Sequence, residues 1–418
     1  MANQATTIQK EWRKIPLKDV VDVVVDNRGR NPDYYVPKGI PVIDNVLIKG
    51  ERKIDLDEAR RFIDEDIYLS FIRKYNQEND VLITLVGNGY GNVALSPRAK
   101  SIIMQNTIGL RCNDLGNNVF LFYNLSLNKR SLTDLNIGAA QPSIKVGDLL
   151  NVELIVPPVA EQRAIAAVLS SLDDKIELLR EQNKTLEATA QAIFREWFVN
   201  FNFPGATGKI IDSELGEIPE GWRVGKIKDL IDILSGFAFS SSDFSQDGKY
   251  KLVTIKNVQD RYFDPETKDR LTELPTKMPD YCKLDAGDIL LSLTGNVGRV
   301  CLVNGENFLL NQRIAKPKAK DQSDYAFTYL LFLQDSIFSL LQSTASGTAQ
   351  QNLSPIQTKE IDIIIPDRKT LDQFGMVANK LIQKINDNNS QIQTLSALRD
   401  ALLPKLMKGE VRVSGFND

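Results

Sequence analysis

The chain is written twice, and this repeat constrains its fold more than any other feature. Trp12-Arg-Lys-Ile-Pro-Leu-Lys-Asp19 returns as Trp222-Arg-Val-Gly-Lys-Ile-Lys-Asp229. Asp80-Val-Leu-Ile-Thr-Leu-Val-Gly87-Asn88 returns as Asp288-Ile-Leu-Leu-Ser-Leu-Thr-Gly295-Asn296, and Gly138-Ala-Ala-Gln141 returns as Gly347-Thr-Ala-Gln350. The displacements are 210, 208 and 209 residues, and half of the 418-residue chain is 209. Solenoid repeats run about 20 to 50 residues, so this is the duplication of a whole domain with something attached. It predicts a chain with pseudo-two-fold symmetry, like a homodimer joined into one polypeptide. Where the copies differ, they differ completely: Asp26-Asn-Arg-Gly-Arg-Asn-Pro32 has no counterpart in Ser235-Gly-Phe-Ala-Phe-Ser240, and the segments 50–75 and 260–285 share almost nothing. One scaffold with two different surfaces suggests two related ligands.

Each copy opens strand-rich. Val20 to Val25, Val81 to Val86, Val152 to Val156 and Ile289 to Leu293 are short β-branched or aliphatic runs closed by Gly, Asn or Pro. Leu56 to Ile63 and Tyr325 to Gln342 read as helices. The expectation is a mixed α+β domain in each half. After Pro157-Pro158, and again after Pro366, the apolar period changes to 3.5. One seam runs Ile165, Leu169, Leu172, Ile176, Leu179, Asn183, Leu186, Ala190, Ile193, Trp197. The other runs Phe374, Ala378, Leu381, Ile385, Asn388, Ile392, Leu395, Arg399, Leu402, Leu406. Alternating steps of four and three over more than four heptads mark a coiled coil.

Each seam holds one asparagine, sixth in the first helix and fifth in the second. Parallel pairing would set each amide against an apolar side chain, at about 1–3 kcal/mol. Antiparallel pairing with flush ends brings Asn183 to Asn388, Ile165 to Leu406 and Trp197 to Phe374, and a buried polar pair fixes register. The ordinary alternative is an asparagine facing solvent at a frayed seam. Arg399, opposite Leu172, either snorkels or marks a docked partner helix. Pro404 should bend or end the second helix.

Composition narrows the chemistry. The absence of histidine excludes His general bases, His-ligated zinc and Ser-His-Asp triads. Three cysteines, Cys112, Cys282 and Cys301, form no CxxC pair, so no disulfide framework or four-cysteine zinc site is expected. There is no phosphate-binding G-x-x-x-x-G-K-[ST] loop. A net charge of -3 neither suggests nor excludes a nucleic-acid partner, since a local basic face can be offset elsewhere. No secretory signal or membrane span is visible, and the chain reads as cytoplasmic.

With these features in place, the sequence resembles the specificity subunit of type I restriction-modification systems. The resemblance rests on the repeated Trp12 to Asp19 string, Gly87-Asn88 and Gly295-Asn296 after their strands, and Pro157-Pro-Val-Ala-Glu-Gln-Arg163 opening the first helix. Phe194-Arg-Glu-Trp-Phe198, Leu215-Gly-Glu-Ile-Pro-Glu-Gly-Trp222 and Leu402-Leu-Pro-Lys-Leu406 complete it. Glu161-Gln-Arg has no good copy; Leu371-Asp-Gln-Phe stands there instead. The resemblance implies a target recognition domain over 1–158, a conserved helix over 159–200, a linker over 201–221, a second recognition domain over 222–366 and a C-terminal helix and tail over 367–418. It implies that each recognition domain reads one half of a split, asymmetric target in double-stranded DNA. It implies that the helices set the spacer and dock two modification subunits, with restriction subunits completing the complex. S-adenosylmethionine, ATP and Mg are expected on those partners and no cofactor or metal on this chain, which would be non-catalytic and not an obligate homo-oligomer.

DNA contact is expected from basic or amide groups in segments that differ between halves, Asn27, Arg28, Arg30 and Asn31 in the first and Lys256, Arg261, Arg299, Arg313, Lys316 and Lys318 in the second, with Asn88, Tyr90 and Asn296 at the shared Gly-Asn turns as further candidates. The bland alternative for each is a solvated charge or a phosphate contact. Gly87-Asn88 and Gly295-Asn296 also serve a tight turn. Trp197, Phe198 and Arg399 are candidates for partner docking, Trp197 and Phe198 alternatively packing the linker onto the helix end. Asn31-Pro-Asp-Tyr34 looks like the Asn-Pro-Pro-Tyr motif of adenine methyltransferases, but its third residue differs and its copy is missing. A self-contained methyltransferase and a protein-only coiled-coil adaptor are the rival readings.

Overall fold

The computed structural model describes residues 12–29, 31–87, 89–136, 142–347 and 351–413. The chain forms two compact units. One ends at Lys175 and takes the chain back from Leu395; the other is Ile176–Thr394. Two helices of 40 residues, Val159–Phe198 and Arg368–Met407, contribute to both units. Among the described residues no helix is long and apolar enough to cross a membrane.

In the first unit a four-stranded antiparallel sheet has the order Val21–Val25, Thr107–Cys112, Val81–Thr84, Val93–Leu95. Val81–Thr84 is buried at every position. This continuous apolar run, unlike an alternating one, is what a strand covered on both faces requires. Val81 and Ile83 pack toward the helix Asn118–Leu127, while Leu82 joins Ile43 and Ile103 on the opposite face, under a small sheet of Phe62–Ile63, Ile40–Ile43 and Ile102–Ile103. The strand Arg13–Pro16 pairs with Glu153–Val156, at the foot of the long helix.

The second unit repeats this plan. Its large sheet has the order Ile231–Ser235, Ile314–Ala319, Ile289–Ser292, Val300–Leu302. Ile289 and Leu291 face the helical core and Leu290 faces the second sheet. Arg223–Lys226 pairs with Asp362–Ile365 as its copy does. The mixed α/β domain is thus present in two copies, as expected.

Two expected helices differ. Leu56 to Ile63 holds one 3-10 turn, Leu56–Glu58, and then the strand Phe62–Ile63, because Ile63 pairs with Ile40 and Arg61 is held by Asp44 and Tyr35. Tyr325 to Gln342 is broken into Tyr325–Phe332 and Asp335–Thr344. Ala326 to Phe332 are buried all round, whereas the following helix buries Ile337 and Leu341 alone, so the two pieces serve different environments.

The long helices pair antiparallel within each unit. In the second, Asn388 donates from Nδ2 to Asn183 Oδ1 at 2.8 Å, and the Trp197 and Phe374 rings lie 5.6 Å apart. In the first, Ile165 and Leu406 share one core and Arg399 meets Asp173. The amide contact has a third member: Asn183 donates to Asn389 Oδ1 at 2.8 Å. Among the described residues Asn388 Oδ1 is buried without a partner, so the contact holds register at a cost in stability. Pro404 does not stop the second helix where it stands; the helix ends one turn later at Met407. A proline in the last turn removes only the bond to the carbonyl four residues back, which few following bonds depend on.

Candidate nucleic-acid interface

Strand register decides which loops meet. In the first unit Val25 lies opposite Gly109, Thr84 opposite Thr107 and Ile83 opposite Val93. The loops after Val25 and Thr84 and the turn before Thr107 therefore leave one end of the sheet, joined by a bridge between Val86 and Ser143. In the second unit Ser235 lies opposite Ala315, Ser292 opposite Ile314 and Leu291 opposite Val300, with a bridge between Thr294 and Asn352. One loop cluster is built twice from unlike residues.

The candidates divide on this geometry. Asn27, Arg28, Asn31 and Tyr90 belong to the loop end of the first unit. Arg261, Asn296, Arg299 and Arg313 belong to that of the second, with Arg261 donating its backbone N–H to Val300 O at 2.8 Å. Lys256 stands in the adjoining turn, next to Ile255, whose side chain a Cβ on Gly295 would meet at 3.2 Å. Lys316 and Lys318 lie toward the opposite end, Lys318 facing Asp232 across the strands. Lys316 is buried with its ammonium 2.6 Å from Asp288 Oδ2, a placement that serves the sheet rather than a nucleic acid. Arg30 and Asn88 lie outside the described residues.

Several side chains at the loop ends are already committed. Asn27 is 6 % exposed; it donates to Lys74 O and Ile103 O and accepts from the N–H groups of Arg73 and Lys74, at 2.8–3.2 Å. Such a fully bonded amide staples its loop and has nothing left for a base edge. Arg28 forks onto Asp26 at 2.9 and 2.7 Å, and this guanidinium holds the Asp26 carboxyl below its usual range. Asn31 accepts from Gln105 Nε2 at 2.6 Å. Tyr90 is half-buried against the core. Arg299 is bonded to Gln259, and Arg261 lies 3.6 Å from Glu187 on the first long helix. Burial pushes the Glu187 carboxyl up, and Arg261 opposes that rise. Lys256, Asn296, Arg313 and Lys318 are exposed. Among the described residues no hydrogen bond or ion pair holds their side chains.

The reading from sequence missed Asn106. It occupies the position of Arg313, since the carbonyl of each accepts from the strand beside it: Leu85 N–H donates to Asn106 O at 2.7 Å, and Leu293 N–H to Arg313 O at 3.0 Å. Aligning the copies on the strands that begin at Thr107 and Ile314 would have exposed it.

The helix candidates also have internal roles. Phe198 is buried at 8 % exposure among Phe374, Phe327 and Trp222, at ring distances of 4.8, 5.0 and 5.9 Å, which removes it as a docking residue. Trp197 is half-buried against Phe374, and Phe201 and Phe203 pack on Trp222. The aromatic cluster closes the linker onto the helix end. Arg399 donates to Asp173 Oδ1 at 2.8 Å, and Asp173 also accepts from the Tyr123 hydroxyl at 2.5 Å, so the arginine at the seam has a partner within its own unit.

Comparison with known proteins agrees with this architecture. The profile of the type I restriction modification DNA specificity domain matches residues 9–188 and again 219–393. The MjaIX specificity subunit of Methanocaldococcus jannaschii is 27 % identical over 426 residues, covering 97 % of this chain and 95 % of that one. The HindI specificity subunit of Haemophilus influenzae is 26 % identical over 328 residues, covering 65 % of this chain and 71 % of its own. The crystal structure of the type I S subunit from M. genitalium shares the fold, with a TM-score of 0.59 at 17 % identity over 94 % of this chain and 96 % of that one. With two matched domains spanning most of its length, the chain belongs to the family of type I restriction-modification DNA specificity subunits.

Proposed function

We propose that this chain is the DNA-recognition subunit of a type I restriction-modification complex and that the two loop clusters each read one half of a split, asymmetric target in double-stranded DNA. The single observation that carries this reading is the loop end built twice on one scaffold from different polar side chains. Shared strand registers give both units the same presentation, and unlike residues give them different targets. The long helices set the unspecified spacer; 40 residues make about 60 Å of helix, against about 34 Å between half-sites one turn apart. Two modification subunits dock on these helices and bring S-adenosylmethionine to methylate adenine. Restriction subunits, where present, bring ATP and Mg-dependent cleavage. The chain itself binds and positions DNA, and it is not an obligate homo-oligomer.

Asn31 and Tyr34 support a recognition role over catalysis. Asn31 is tied to Gln105, and the Tyr34 hydroxyl donates to Asp64 Oδ2 at 2.7 Å, so both side chains are held as loop structure. The test is methylation mapping in cells that carry this chain with its modification partner. A split adenine-methylated motif is expected, and replacing residues 1–158 with those of a relative should change one half alone. A continuous motif, or S-adenosylmethionine binding by the isolated chain, would overturn the reading. So would a lack of duplex binding at low salt, where phosphate contacts are strongest.

A further inference from the structure

Most polar groups at the two loop ends are committed to the fold, as Arg28, Asn27, Arg261 and Arg299 are. Residues 106 and 313 differ from these in three ways. Each sits where the chain crosses from the small sheet to the large one: Asn106 between Ile102–Ile103 and Thr107–Cys112, Arg313 between Phe308–Leu310 and Ile314–Ala319. A strand begins at the next residue in both units, and the residue's own carbonyl is fixed by the N–H of Leu85 or Leu293. Such a seat is more rigid than a loop tip, and a reading group needs a support of that kind. Second, both side chains are without a hydrogen bond or ion pair among the described residues. Third, the carbonyl anchor is the same in both units and the side-chain chemistry is not: an amide stands in one, a guanidinium in the other.

These two side chains have distinct complements in the major groove. A guanidinium offers two parallel N–H groups that match the O6 and N7 acceptors of guanine, and a carboxamide offers one donor and one acceptor that match N7 and N6–H of adenine. We propose that positions 106 and 313 are paired base-reading positions, Asn106 reading an adenine in the half-site of the first unit and Arg313 a guanine in that of the second. This rests on the DNA-recognition reading given above.

The experiment maps methylation in cells expressing the modification partner with the wild-type chain, R313A, R313Q, N106A or N106Q. In R313A, discrimination at one guanine should fall by roughly five- to 150-fold, the worth of one bidentate pair, with the other half-site unchanged. R313Q should shift that position toward adenine. N106A should relax one adenine in the other half, and N106Q, which keeps the amide, should retain it. Equal thermal melting of the purified variant complexes checks that folding is intact. A uniform fall in methylation with the motif unchanged would make Arg313 a phosphate contact and overturn the proposal, as would relaxation in both halves. A wild-type chain that yields no split motif would instead sink the recognition reading itself, and this inference with it.

Discussion

The two units perform one mechanical task with different chemistry. Each must fasten the start of a long helix to the capping residue of a domain helix. In the first unit Gln162, 1 % exposed, does this with neutral bonds: it donates to Leu115 O and Pro157 O and accepts from Asn117 N–H, at 2.9–3.0 Å. In the second unit Leu371 fills the equivalent place and Arg368 takes over, donating to Asp324 Oδ2 at 2.9 Å, to Ser323 Oγ at 3.0 Å and to Asp372 Oδ1 at 3.0 Å. Asn117 and Asp324 are the N-cap residues of Asn118–Leu127 and Tyr325–Phe332. The repeated tryptophan is kept in both: Trp12 donates to Glu161 at 3.2 Å, Trp222 to Asp367 at 3.0 Å. A duplicated scaffold thus conserves a geometric task, while amide and ionic solutions to it are interchangeable.

The comparison can be broken most severely at Arg368. R368A leaves the carboxylate of Asp324, 1 % exposed, without its ion partner. A fully buried pair broken in this way costs 3–5 kcal/mol; with the guanidinium 43 % exposed, about 2–3 kcal/mol is expected from urea unfolding. Q162A should cost less, about 1–2 kcal/mol, because the backbone groups it abandons are neutral. Salt separates the two latches. Raising the ionic strength from about 0.05 to 0.5 M shortens the Debye length severalfold, so the gap between R368A and wild type should shrink while that of Q162A holds. Equal salt dependence would show that the two latches do not differ as described.

Acid sharpens the same contrast. Burial alone would raise the Asp367 carboxyl, but hydrogen bonds from Thr370 and the Trp222 indole hold it below its usual value. A lowered carboxylate contributes stability above its unfolded pKa, about 3.9, and loses it as the pH falls through the folded value. The difference in urea midpoint between wild type and D367N should therefore be present at neutral pH and vanish in strong acid. The smallest expected effect is at Glu187, whose carboxyl is raised by burial. Its ionised form opposes folding, so E187Q should melt slightly higher than wild type at neutral pH and no higher at pH 4, read by circular dichroism.

A second pair of sites shows how register redistributes function. Asp80 and Asp288 are copies at the foot of the same strand. Asp80 is bound by Arg111 through Nε and Nη2, both at 2.8 Å. Asp288 is bound by Lys316, two residues nearer the start of the neighbouring strand, where the first unit has Gly109. Positions two apart share a strand face, so either can reach the acid. The exchange leaves Lys318, which takes the place of Arg111, exposed. In the sequence Lys316 and Lys318 fall into one group with Arg313 because all three are basic and stand in a segment that differs between the halves. Strand direction separates them, since the residues run away from the loop end as the strand proceeds.

What the amino-acid sequence by itself determined about this protein is whatever depends on periodicity and copy number. The 209-residue duplication, the strands at Val81–Thr84 and Ile289–Ser292, the 3.5-residue period of the long helices and the antiparallel meeting of Asn183 with Asn388 were legible there, because side-chain direction follows from spacing along a regular element. The tertiary structure decided whatever depends on which distant residue arrives opposite. It gave Arg399 to Asp173, Arg261 to Glu187 and Asn389 to the asparagine pair, turned Phe62–Ile63 into strand against Ile40–Ile43, and left Arg313 and Asn106 without a side-chain partner among the described residues. Hydrogen bonds and ion pairs act over a few ångströms, and those distances are set by sheet register and helix pairing rather than by order along the chain.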